Sequence, residues 1–251
     1  MDGQATSASL PARHVATTVA MVSALTYDIS YDETRSRLTN AFRIILAIPH
    51  VIVVTVWGYL AELLAFIQWF IIVFTGKRNQ ALWDLQWAWL GYAGRVQGYT
   101  NLMFDPYPEF GTSPGRVPVS IDIGYDEPAD RLTNGLRFIW AIPALLIGLA
   151  ISIAFSVVVL ISWFAIVITG KHPRGLFDFS LRSLRFLLRV NTYVLLMTDT
   201  YPKWESGDPA RTGSPDYLTP PGQGSTGAAL APPTPEPARP PAAGAPLPPP
   251  G

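Results

Sequence analysis

The chain has 251 residues, 49% of them apolar and only 14% charged, where an average soluble chain carries about 25% charged. Lys plus Arg and Asp plus Glu stand at 18 each, so no net charge draws it toward nucleic acid or an acidic substrate. The absence of Cys excludes disulfides, thiolate metal sites and Cys nucleophiles, and three scattered histidines, His14, His50 and His172, make no metal cluster.

Residues 1–26 form an N-terminal segment whose weak apolar stretch, 15–25, is broken by Thr and Ser and follows no cationic region, so it does not read as a cleaved signal peptide. LTYDISYDE and, later, VSIDIGYDE alternate in the manner of short strands. A short amphipathic entry with Arg37 and Arg43, or Arg131 and Arg137, leads into two apolar runs, Ile44 to Thr75 and Phe138 to Thr169. Each run far exceeds the roughly 18 apolar residues that mark a membrane span, which makes this an integral membrane protein. Thr-Gly-Lys closes both runs; without a GxxxxGK[ST] frame it is a helix terminator with a snorkelling Lys, not a phosphate loop. An aromatic-rich amphipathic helix follows from about Asp84 or Asp178, expected to stop at Tyr107-Pro108 or Tyr201-Pro202. Residues 205–251, rich in Pro, Gly and Ala, are expected to be a disordered tail with polyproline II stretches.

One unit is written twice. Tyr31 to Pro108 aligns without a gap on Tyr125 to Pro202 at an offset of 94, with roughly 30 of about 78 positions identical. Identities cluster at the ends of the runs; the mid-run residues hardly match, as expected where any apolar side chain satisfies lipid. The organisation is therefore a first membrane repeat over residues 27–110, a linker over 111–117 and a second repeat over 118–204. AIPH, WFIIVFTGK, RGLFDF, LLRVNTYVLLMTDTYP and the duplicated layout resemble the membrane domain family called domain of unknown function 4389. The resemblance covers both repeats, is specific at HPRGLFDF in the second and looser at RNQALWDL in the first, and implies a membrane location without supplying catalytic residues.

The expected fold is an all-α membrane protein of two tandem repeats, each a short strand, a transmembrane helical hairpin or one long span, and an interfacial amphipathic helix. A continuous helix of 32 residues would measure about 48 Å against a hydrocarbon core of about 30 Å. Hairpins turning near Gly58 to Glu62 and Ser152 to Ser156 keep all flanking cations on one side and lift Glu62 toward water, and are preferred.

Glu62 is the lone acid within a run and faces Ser156 in the repeat alignment, so no acid pair exists; His50, matched by Ala144, reads as a hydrogen-bonded boundary residue. Arg182, Arg185 and Arg189 fall on one helix face and are candidates for lipid or partner contact. Arg95, Tyr99 and Asp105 recur as Arg189, Tyr193 and Asp199, a candidate structural network. With no nucleophile beside a base, no metal cage and no phosphate loop, neither an enzyme nor a cofactor is expected. The sequence points to a multi-pass plasma-membrane protein, tail cytoplasmic, that binds anionic lipid head groups and a membrane-protein partner of unknown identity through its cytoplasmic face, and no nucleic acid. The alternative is a small oligomeric transporter or channel with its pathway between the repeats.

Overall fold

A computed structural model of the chain describes residues 25–113 and 115–204; the expectations for the N-terminal segment before Leu25 and for the Pro-rich tail lie outside the described residues. The order is β1 (Thr26–Ile29), α1 (Arg37–Thr75), α2 (Gln80–Thr100), β2 (Val119–Asp122), α3 (Arg131–Gly135), α4 (Arg137–Thr169) and α5 (Arg174–Val194). Ser36 caps α1 by accepting from the Thr39 amide at 3.3 Å, and Asp130 caps α3 by accepting from Thr133 at 2.6 Å. Gly76 and Gly170 end the long helices in the left-handed region, at φ 73° and 74°.

The hairpins expected within the runs are absent. Each run is one unbroken helix of 39 or 33 residues, and no turn occurs at 58–62 or 152–156. Gly58 stands there without a second breaker, while Trp89 Nε1 donates to Val54 O at 3.0 Å and Gln86 to Ala61 O at 3.3 Å, holding that part of α1 against α2. Ser152 and Ser156 return their hydroxyls to Leu149 O and Ser152 O inside the α4 helix.

The helices after the runs stop earlier than their Tyr-Pro pairs suggested. Leu102 and Leu196 take φ of 66° and 61°, and the Met103 and Met197 amides donate back to Gly98 O and Thr192 O, each at 3.0 Å. This is a Schellman ending with Leu where Gly is usual, tolerated because both leucines are buried in the core.

After each long helix, α2 and α5 pack into the fold along one face. They form a middle layer. A continuous stripe of α1, including Ala47, His50, Ala61, Ala65 and Ile72, packs on α2, which runs back along it, Tyr92 opposite His50 and Gln86 opposite Ala61. In the second repeat Ala144 packs on Phe186 and Val190, and Gly148 faces Leu187. The strand pair lies against the other side of this layer: Tyr27 Oη donates to Gly94 O at 2.8 Å, and a Cβ on Gly98 would stand 2.7 Å from Phe104 and 2.9 Å from Tyr27 Oη.

β1 and β2 pair antiparallel with Tyr27 opposite Ile121, Thr26 opposite Asp122 and Asp28 opposite Ser120. Tyr27 and Ile121 are repeat equivalents, and the flanking pairs exchange roles under the same offset. A local two-fold axis therefore runs through the sheet and relates the repeats.

Candidate functional site

The same reciprocity governs both ends of the long helices. Just before α1, Glu33 O accepts from the His172 amide at 2.8 Å and Arg35 N donates to Gly170 O at 2.9 Å; at the equivalent place Arg78 N donates to Glu127 O at 2.7 Å and Ala129 N to Gly76 O at 3.0 Å. Lys171 pairs with Glu33 at 2.8 Å and Lys77 with Glu127 at 3.0 Å, so the loop closing each run is held by the segment opening the other. Trp163 Nε1 donates to Asn40 O and Trp69 Nε1 to Asn134 O, both at 3.0 Å, which sets the start of each long helix beside the end of the other.

Beneath each exchange lies a buried arginine centre. Arg43, 1% exposed, donates to Tyr99 O, Phe104 O and Asp105 Oδ1, each at 2.7 Å, and lies 4.5 Å from the Tyr99 ring centre. Asn40 adds a 3.0 Å bond to Asp105. In the second copy Arg137 bonds Asp199 at 2.6 Å and Thr198 O at 3.1 Å, over the Tyr193 ring at 4.0 Å, with Asn134 on both Arg137 and Asp199.

The copies differ in how the remaining acceptors are served. In the second, Arg78 pairs with Asp199 and donates to Leu196 O, while Trp83 Nε1 donates to Met197 O at 3.1 Å. In the first, His172 and Phe177 stand at those two places, and Arg35, whose equivalent is Ala129, reaches Met103 O at 2.8 Å. His172 is fully buried beside this cation cluster; burial first, then Arg35 and Arg43, push its imidazole down to about 4. A cleft lined by Arg78, Asp126, Thr198, Asp199 and Thr200 opens beside the second centre, and an apolar one with Leu132, Trp140, Tyr193 and Tyr201 adjoins it.

Of the residues singled out from sequence, Tyr99, Asp105, Tyr193 and Asp199 converge on these centres. Arg95 instead donates to Gly111 O at 2.6 Å, and Arg189 to Leu25 O at 3.2 Å. Arg185 binds Tyr27 O at 2.6 Å and Asp28 at 2.9 Å, so it faces β1; Arg182 is exposed. The organising arginines, Arg43 and Arg137, were read only as flanking charges, although RLTN and the Arg three residues later stand in both copies. Glu62 is exposed on α1, and His50 shares a 2.6 Å bond with Tyr92. No group of three or more His, Asp or Glu able to hold a metal occurs among the described residues.

The second feature of the molecule is its apolar surface. Of 38 exposed large apolar side chains among the described residues, 31 lie on α1 and α4, and each of these helices is long and apolar enough to cross a membrane. An ordinary soluble monomer rarely exposes a contiguous apolar patch beyond about 300–600 Å².

No curated protein and no solved structure matches the chain. The profile described as Domain of unknown function (DUF4389) matches twice, over residues 37–111 and again over residues 131–205. The chain belongs to the DUF4389 family and carries its domain in two copies.

Proposed function

We propose that the protein is a membrane-embedded structural or accessory protein of the plasma membrane. Hydrocarbon covers the α1 and α4 surface, and the opposite polar side, built on the strand pair, meets lipid head groups or a protein partner in the cytoplasm. The concentration of exposed apolar side chains on two helices carries this reading. The arginine centres are junctions: the terminal guanidinium nitrogens of Arg43 and Arg137 donate to main-chain oxygens and a carboxylate, and neither centre sets a nucleophile beside a base. Fractionation of cells expressing the full chain is the test. The protein should stay with the membranes after an alkaline carbonate wash and leave them only with detergent; release by carbonate would refute the reading. Reconstituted vesicles should show no solute flux above protein-free ones, and flux would favour the pathway between repeats instead.

A further inference from the structure

We infer that α1 and α4 lie in the plane of one leaflet, with the polar layer above them in water, and that neither helix crosses the bilayer. The inference rests on the membrane reading and fixes its geometry.

Polar structure accompanies the long helices along their length. α2 tracks α1 from His50 past Ala61, and α5 tracks α4 past Ala144 and Gly148. On the far side of α2 and α5 sit β1 and β2 with Asp28 and Asp122, joined to the layer by Tyr27 on Gly94 and Arg185 on Tyr27 and Asp28. Because the local two-fold passes through this strand pair and relates α1 to α4, the strands lie level with the helix midpoints. If α1 crossed the bilayer, the exposed Thr26 and Asp122 and the Arg185–Asp28 pair would be carried to mid-depth, where a charged side chain is expensive.

Turning the axis along the membrane normal removes the conflict. Both repeats then enter the same leaflet by their apolar helices, and the strands face water. The two ends of the molecule carry the same kind of exposed ion pair, Glu33–Lys171 and Lys77–Glu127, as two points at one water boundary should. Helices of 39 and 33 residues, about 58 and 50 Å, no longer have to fit a core of about 30 Å. Glu62 falls about 100° round from buried Ala61, on the flank of α1 and not at its back, within snorkelling reach of the boundary. All flanking cations also stay on one side without any hairpin.

The test uses the full, naturally cysteine-free chain with single cysteines at Glu33 and at Glu127, one at each end of α1. A membrane-impermeant maleimide should label both to the same extent from the same side of sealed cells or inverted vesicles. Nitroxides at Leu46, Val56, Phe66 and Phe74, all exposed along α1, should report one common depth of oxygen over nickel-chelate accessibility. Labelling of Glu33 and Glu127 from opposite sides, or a depth that falls and rises again along α1, overturns the in-plane seating while leaving the membrane reading intact. Nitroxides open to the nickel chelate at all four positions would instead overturn the membrane reading itself.

Discussion

The differently built arginine centres can be exchanged by design. In the second copy the acceptors of the Leu196 turn are served by Arg78 and Trp83, and in the first Met103 O is served by Arg35. Arg35→Ala removes a buried guanidinium that also neutralises the surroundings of Asp105, and leaves Met103 O without its donor; charge-assisted hydrogen bonds of this kind are worth about 1.5–3 kcal/mol. His172→Arg alone places a third guanidinium beside Arg35 and Arg43, and an uncompensated buried charge costs about 3–5 kcal/mol. Together they recreate the second copy: the His172 amide already occupies the Arg78 position, bonding Glu33 O as Arg78 bonds Glu127 O, so the new side chain has Asp105 and Leu102 O in reach. The double variant should therefore recover about 2 kcal/mol or more relative to the sum of the single losses, well outside the 0.3–0.5 kcal/mol scatter of independent sites. Adding Phe177→Trp should recover more, by returning a donor to Met103 O as Trp83 serves Met197 O. Thermal unfolding in one detergent, with a double-mutant cycle, measures this. Simple addition of the two losses would show that the centres are not interchangeable and would refute the reasoning.

Three further outcomes follow from the packing. His172 is held near 4, below its ordinary 6.5, so the stability it allows is complete above about pH 6.5 and lost as pH falls toward 4, to a total of about 3 kcal/mol. His172→Gln should lose less melting temperature than the parent between pH 7.5 and 4.5; equal losses would remove the imidazole from the account. Gly98→Ala should cost about 1–3 kcal/mol because its Cβ meets Phe104 and Tyr27, whereas Gly175→Ala, with open space around it, should change unfolding by well under that. A chain cut within residues 111–117 and co-expressed as two halves should be recovered from detergent as a one-to-one complex through the exchanged main-chain bonds, the Trp163–Asn40 and Trp69–Asn134 bonds and the strand pair, and halves that purify separately would contradict the reciprocal closure.

The repeats, the apolar runs and the strands were legible because each leaves a local pattern: a constant offset, an uninterrupted apolar composition, and alternation over LTYDI and VSIDI. Run length, one-sided cations and Glu62 all bear on how a helix meets lipid and not on whether its backbone turns, so they carry no signal for the unbroken helices that form. Nothing in the run itself demanded a turn at Gly58 or Ser152. The early ends of α2 and α5 leave no sequence signal, since Leu is an unusual residue for a left-handed cap and only its burial makes it acceptable. RLTN and the paired aspartates were visible as shared residues; an alignment of the copies says which positions are alike and cannot say that each loop closes on the other copy.

That mutual closure bears on how the chain is made. α1 and α2 meet through neighbours in sequence, but Glu33 waits for Lys171, 138 residues further on, and Lys77 waits 50 residues for Glu127. At ribosomal rates of about 5–20 residues per second, the first repeat spends several seconds with its opening segment unclaimed while the second is being synthesised. Long-range closures of this sort form late and slow folding. Through that interval the hydrogen bonds of Arg43, all made within the first repeat, can already form before His172 and Phe177 arrive beside them, whereas the Arg137 centre cannot complete without Arg78 delivered from the older half. Synthesis thus gives an order to two centres that the finished molecule holds at its two ends.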